Sequence, residues 1–193
     1  MKRICVFCGG SVGRDARYRE AAEELGRQLA GRGLGLVFGG GSVGLMGAVA
    51  DATLAAGGRA IGVIPHGLAV REVAHRGLTE LRVVSSMHER KAMMARLADA
   101  FVALPGGFGT LEELFEIVTW AQLGIHRKPI GLLNVAGYYD ALVRLLDHAV
   151  AEGFVPAENR GLIVVASEPA PLLERLAAHQ GPVVREWIGP DEA

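Results

Sequence analysis

The chain has 193 residues, half of them hydrophobic and 21% charged, and its 20 Lys plus Arg against 21 Asp plus Glu leave a formal net charge of −1. That balance offers no basic excess to neutralise a phosphate backbone, which argues against nucleic acid as a main partner. No apolar run approaches the roughly 20 residues of a membrane helix. The length is that of one domain, 1–193, able to bury a substantial core.

Met1-Lys2-Arg3 carries the charge of a signal-peptide start, but the apolar run behind it stops at Gly9, so the pattern predicts a first strand over Arg3 to Phe7. Further short β-type runs follow at Leu34 to Phe38, Ala60 to Ile64, Leu81 to Val84, Ala100 to Leu104, Ile130 to Leu133 and Ile163 to Ala166. Helical patterns separate most of them: Arg17 to Ala30, Leu45 to Ala56, Met87 to Leu97, Leu111 to Leu123 and Tyr138 to Glu152. This alternation predicts an α/β fold, a single-domain doubly wound, Rossmann-like parallel sheet with helices on both faces. The strands read as apolar throughout, as they must when both faces are covered. Pro65 to Thr79 is the one long irregular connection, and such loops in α/β domains are commonly functional. The tail from about 180 to 193 reads as peripheral.

Cys5 and Cys8 are spaced CxxC but lie in and just after a strand, where residues three apart face opposite sides. They are expected to be buried, reduced thiols, and with no export signal they point to the cytoplasm. His66, His75, His88 and His126 do not fall at metal-ligand spacing; they read as loop or surface residues, with no metal or cofactor expected.

The segment Phe7 to Gly13 recurs as Phe38 to Gly44, identical at six of seven positions, and Leu104-Pro-Gly-Gly-Phe-Gly-Thr110 opens a third glycine turn after a strand. Three such turns at the carboxyl edge of one sheet point to a phosphate site, with Gly41 and Ser42 among its candidate contacts. Gly39, Gly41 and Gly44 match GxGxxG, but the next strand ends Ile64-Pro65-His66 without the carboxylate that a dinucleotide ribose requires. Gly44 is followed by Leu45-Met46 rather than Lys-Ser/Thr, so this is no Walker A loop.

Ser86 and Glu89 form an S-x-x-E capping box, which places Arg90 and Lys91 at a helix start where the dipole disfavours cations. They are either solvated and balanced by Glu89 or Glu80, or they face an anion. Thr110 and Glu113 form a second such box, so Glu113 has two readings: a cap on its own helix, or a functional carboxylate. On a helical wheel Glu112, Glu116 and Thr119 share one arc with Glu113 at its edge, a grouping able to hold ribose hydroxyls or a water. Trp120 and Leu123 fall on the same polar side and would be exposed in a monomer, which predicts a subunit interface and at least a homodimer.

Pro105-Gly-Gly-Phe-Gly-Thr-Leu-Glu-Glu113 resembles the PGGxGTxxE motif, and Met87-His-Glu-Arg-Lys91 the MxxRK element, of the Lonely-guy family of cytokinin riboside 5'-monophosphate phosphoribohydrolases. Gly39 to Gly47 and Thr119 to Gly124 are similar too, so the likeness runs from Ile4 to about Val165. The resemblance implies cleavage of the N-glycosidic bond of an adenosine 5'-monophosphate, without a cofactor. It implies Arg90 and Glu113 as catalytic residues, and substrate contacts at Glu72, Lys91, Gly106, Gly107, Gly109, Thr110 and Thr119, to which the carboxylate arc adds Glu112. Two other classes remain: a pyridoxal-phosphate lysine decarboxylase, which needs a Schiff-base lysine from among Lys2, Lys91 and Lys128, and a nucleotide-binding sensor or carrier without chemistry.

Overall fold

The computed structural model of the chain describes residues 1–71 and 74–182. Among these, seven strands form one parallel sheet: β1 (Arg3–Phe7), β2 (Gly35–Phe38), β3 (Ala60–Pro65), β4 (Glu80–Val84), β5 (Ala100–Ala103), β6 (Ile130–Leu133) and β7 (Ile163–Ala166). Their order is β4-β3-β2-β1-β5-β6-β7. The chain starts mid-sheet, builds outward to β4, then returns to lay β5 against the other side of β1. The direction of winding therefore reverses between β1 and β5, where an open α/β sheet leaves a crevice at its carboxyl edge. This is the doubly wound architecture expected from the sequence.

The helices are α1 (Ala16–Gly31), α2 (Gly44–Ala55), α3 (His66–Arg71), α4 (Met87–Leu97), α5 (Phe108–Gln122), α6 (Asp140–Ala151) and α7 (Pro169–Ala178). Side chains alternate across the pleat, so Ile4 and Val6 of β1 pack under α1, α2 and α7, while Cys5 and Phe7 pack under α4 and α5. Cys5 and Cys8 are free and buried, one in each layer, as expected. No helix among the described residues is long and apolar enough to cross a membrane.

Four differences from the sequence pattern matter. Helix α5 begins at Phe108, three residues earlier than the pattern suggests, with Gly107 as its N-cap. Helix α6 begins only at Asp140, because Asn134 Oδ1 accepts the Tyr139 amide at 2.6 Å and holds Val135–Gly137 in a tight turn. Helices α3 and α7 have no counterpart in that pattern; α7 starts at Pro169, and a first helical turn tolerates proline because its N–H groups have no intrahelical acceptor. Strand β4 is covered on one face only, leaving Leu81 and Val83 exposed at the sheet edge. His126 lies in the loop between α5 and β6, as expected, and is half-buried there: its Nε2–H donates to Ile117 O at 3.0 Å and its Nδ1 accepts from the Lys128 amide at 3.1 Å. Burial pushes its pKa down to about 4, so it is a neutral structural group.

Candidate active site

The three glycine turns meet at the carboxyl edge of the sheet, and backbone hydrogen bonds stitch them together. Gly9 N–H donates to Pro105 O at 3.0 Å and Leu45 N–H to Gly9 O at 3.0 Å, joining the turns after β1, β5 and β2. Gly44 has φ +62°, and a Cβ there would collide with the Gly10–Ser11 backbone. Only glycine meets both demands. Gly41 pairs with Ala74 in an isolated antiparallel bridge, so the connection after α3 folds back onto the end of β2 with Ser42 beside it. Glu72 lies outside the described residues.

Arg90 sits in the second turn of α4 and is 9% exposed. Its Nε donates to Val63 O and its Nη2 to Gly39 O, each at 3.1 Å, and its Nη1 approaches Met87 Sδ at 3.7 Å. A Cβ on Gly39 would occupy the position of Nη2, so the glycine there is what lets the guanidinium reach the sheet edge. N–H donors on both Nη1 and Nη2 are left without a protein acceptor among the described residues. The reading in which Glu89 or Glu80 balances this cation does not hold. Ser86 Oγ caps Glu89 N–H at 3.1 Å, but the Glu89 carboxylate turns to the Ser85 amide at 2.8 Å, and Glu80 pairs with Arg82 at 2.7 Å.

Glu113 is not a helix cap either. With α5 starting at Phe108, Glu113 lies in the second turn, beyond capping reach of the N-terminus, and α5 has no side-chain cap. Its carboxylate makes no hydrogen bond or ion pair among the described residues. Burial is the largest influence on it and pushes its pKa from 4.5 up to about 7, with the Arg90 charge opposing this and Glu112 and Glu116 adding to it. A half-buried carboxylate with no hydrogen-bonding partner among the described residues, its pKa pushed up to about 7 and coupled electrostatically to the fixed guanidinium of Arg90, has the signature of a functional group.

Lys91 stands one residue on, 11% exposed at its side chain, and binds Glu112 Oε1 at 2.6 Å and Glu116 Oε1 at 2.8 Å. It joins α4 to α5 and pairs with two of the three carboxylates that the wheel grouped together. Gly107 and Gly109 border open space, and Gly106 packs against Thr110 and Gly9. The amides at the uncapped start of α5 are the orphan donors that an anion could occupy. Thr119 is not brought to this turn: it lies about 14 Å along the helix from Thr110 and donates its hydroxyl to Phe115 O at 2.7 Å. No group of three or more His, Cys, Asp or Glu able to hold a metal occurs among the described residues.

A cavity of about 260 Å³ opens at the β1–β5 crevice, walled by Ser11, Tyr18, Gly106, Gly107 and Tyr138. The two tyrosines escaped the sequence reading, which placed Tyr138 inside a helix. The available signal was its position just past the end of a strand, where ligand-facing residues of α/β folds gather. Trp120, expected to be exposed, packs against the core, and Leu123 is half-buried. Among the apolar groups left outside near the site are Phe108, at 93% exposure, Phe115 and Met87.

A family model described as "Possible lysine decarboxylase" matches residues 46–176. A rice (Oryza sativa subsp. japonica) protein named probable cytokinin riboside 5'-monophosphate phosphoribohydrolase LOGL5 is 56% identical over 181 residues, 94% of this chain and 74% of the relative. An Arabidopsis thaliana protein named cytokinin riboside 5'-monophosphate phosphoribohydrolase LOG7 is 54% identical over 179 residues, 93% of this chain and 82% of the relative. The solved molybdenum cofactor carrier protein of Chlamydomonas reinhardtii superposes with a TM-score of 0.70 at 24% identity, over 92% of this chain and 99% of that one, a likeness of fold alone. With more than half of its residues identical to these relatives over nearly all of its length, the chain belongs to the family of the cytokinin riboside 5'-monophosphate phosphoribohydrolases.

Proposed function

We propose that the protein hydrolyses the N-glycosidic bond of adenosine 5'-monophosphates, those carrying an N6 substituent included, to the free base and ribose 5-phosphate. The observation that carries the chemical part of this reading is Glu113, half-buried, without a hydrogen-bonding partner among the described residues, and held near neutral pKa with the Arg90 charge opposing the shift. As the C1'–N9 bond breaks, the ribose gains oxocarbenium character, which an ionised carboxylate in a water-poor site stabilises strongly. Glu113 also orients the water that attacks C1' and accepts its proton, and the bonding pair leaves with the purine, which is protonated as it departs. Arg90, pinned by two carbonyls, keeps its remaining donors in a fixed fork that orients the nucleotide and its departing base. The 5'-phosphate is held by the amides at the start of α5, with Gly106, Gly107, Gly109 and Thr110, and by the turn at Gly41 and Ser42; Glu72 and Glu112 complete the proposed substrate contacts, and Thr119, farther along α5, is left out of them.

The lysines do not fit a pyridoxal-phosphate enzyme. Lys91 is bound by Glu112 and Glu116, Lys128 Nζ donates to Ala95 O at 2.7 Å, and Lys2 precedes β1 at the opposite end of the sheet from the turns. A mere carrier would have no use for a carboxylate that burial holds near neutral pKa with no partner among the described residues, since its ionisation costs stability. Separate incubations with AMP and N6-isopentenyl-AMP, followed by chromatography, test the reading. Free adenine or isopentenyladenine is expected, and the faster of the two identifies the preferred N6 group; neither base appearing would overturn it.

Because the ionised form of Glu113 does the work, turnover rises with pH through a midpoint near 7. Lys91→Ala removes a charge that holds this pKa down and leaves Glu112 and Glu116 unpaired, so its ascending limb moves to higher pH. Steady-state profiles of both proteins between pH 5 and 9 measure the shift, and coincident profiles would contradict it.

We further read the protein as a cytoplasmic homodimer, with Phe108, Phe115 and Met87 in the contact in place of Trp120 and Leu123. Light scattering at micromolar concentration is expected to give about twice the chain's 20.4 kDa; a mass near 20.4 kDa would refute the dimer.

A further inference from the structure

Two consecutive tyrosines brace the turn between β5 and α5 from the neighbouring strand end. Tyr139 donates its hydroxyl to Leu104 O at 2.6 Å, and Tyr138 donates to Gly106 O at 2.5 Å. Alternate carbonyls of one short turn are thus held from the same side. The segment that presents them is itself constrained. Ala136 adopts left-handed φ 53°, a conformation that non-glycine residues keep only where the surroundings over-determine it, and Gly137 follows at φ 72°. Asn134 ties the segment at both ends, accepting from the Tyr139 amide at 2.6 Å and donating to Asp140 Oδ1 at 2.7 Å. The Tyr138 ring is fixed edge-on to Tyr18 and to Tyr139, with centroids 5.7 and 4.9 Å away.

The peptide geometry gives this brace a consequence. In a trans peptide, C=O and N–H point in opposite directions, and the Gly106–Gly107 bond is trans. A hydroxyl that holds Gly106 C=O toward Tyr138 therefore aims Gly107 N–H away from it. Gly107 is the N-cap of α5, it borders open space, and its amide donates to no backbone acceptor among the described residues. A Gly-Gly peptide has no side chain to resist rotation of its plane, and the rotated plane would present a carbonyl, not an N–H, to an anion.

We propose that Tyr138 is a positioning residue: its hydroxyl locks the Gly106–Gly107 peptide plane so that Gly107 N–H faces the phosphate of the substrate. This rests on the phosphate being held at the start of α5, as in the function proposed above. Tyr138→Phe removes the hydroxyl and keeps the ring against Tyr18 and Tyr139, so the variant folds. One net hydrogen bond sets the scale of the effect. Affinity for inorganic phosphate, read from the ¹⁵N–¹H shift of Gly107, weakens roughly 3- to 10-fold. KM for AMP rises by a similar factor while kcat stays within about twofold, because ground and transition states share the phosphate contact.

Four outcomes separate the possibilities. An unchanged phosphate affinity in Tyr138→Phe overturns the positioning role, as does a Gly107 amide that phosphate leaves unmoved in the wild-type protein. A loss of kcat with unchanged KM also overturns it, by placing the hydroxyl in the chemistry. If the wild-type protein binds phosphate at Gly107, loses affinity on Tyr138→Phe and yet releases no base from AMP, the positioning role stands and the hydrolytic reading falls.

Discussion

Glu113→Gln abolishes most turnover while leaving nucleotide binding in place. The substitution keeps the size and shape of the side chain and removes the negative charge that a developing ribose cation requires, an electrostatic loss worth on the order of 10² to 10³ in kcat. Nucleotide affinity, measured by calorimetry on the inactive variant, changes little, because the ground-state sugar is uncharged. The same substitution leaves the fold as stable as the wild type or more so at pH 8. A carboxylate whose pKa is raised from 4.5 to about 7 by burial favours its neutral form in the folded protein. Its contribution to stability is present below pH 4.5 and lost as pH rises through about 7. Holding it ionised at pH 8 therefore costs about 3 kcal/mol on linkage grounds. Thermal melts at pH 5 and pH 8 check the sign: wild type loses stability relative to Glu113→Gln as pH rises. A residue that merely closed its helix would show the opposite pattern, with little loss of turnover and reduced stability.

Arg90→Ala is the second large effect, a fall in kcat of about 10² or more if the guanidinium orients the reacting group. Three features put it there: burial at 9% exposure, two carbonyl acceptors that fix its plane, and donors left over on both Nη atoms. Interactions shared by ground and transition states change KM alone, whereas an orienting group shows itself in kcat. Lys91→Ala, by contrast, removes a cation already paired with two carboxylates, and its main signature is the displaced pH profile. Arg90→Ala also leaves the Val63 and Gly39 carbonyls without their donor, so circular dichroism must accompany the kinetics. A folded Arg90→Ala protein with wild-type kcat and a raised KM would make Arg90 a binding residue only.

The strand pattern was legible because the central apolar runs, such as Ile130 to Leu133, are buried on both faces and lie close to a glycine or proline. The edge strand β4 escaped that logic: Leu81 and Val83 are apolar yet exposed, and no local pattern announces that a sheet ends there. Capping signals served unevenly. Ser86 caps α4 where its motif says it should, whereas Thr110-x-x-Glu113 is a capping box in letters only, since the chain is already helical from Phe108. That one shift in start position turns Glu113 from a cap into a half-buried carboxylate with no partner among the described residues. Lys91 shows the limit of spacing arguments from another side. Two cations at a helix start called for an anion, and for Lys91 the anions proved to be Glu112 and Glu116, about 21 and 25 residues away in sequence and adjacent only across the α4–α5 contact. Tyr138 was invisible for a similar reason: its hydroxyl reaches Gly106, 32 residues earlier, through a turn whose left-handed alanine no sequence rule predicts.

The most direct test follows the two halves of the nucleotide in one sample. Wild-type protein is incubated with AMP, the base is quantified by chromatography and the phosphate by ³¹P nuclear magnetic resonance, across pH 5 to 9 and again with Glu113→Gln. Adenine and ribose 5-phosphate are expected in equal amounts, at a rate that rises through a midpoint near pH 7 and is lost in the variant. Adenosine and inorganic phosphate in their place, or base release that Glu113→Gln sustains at the wild-type rate, would contradict the account.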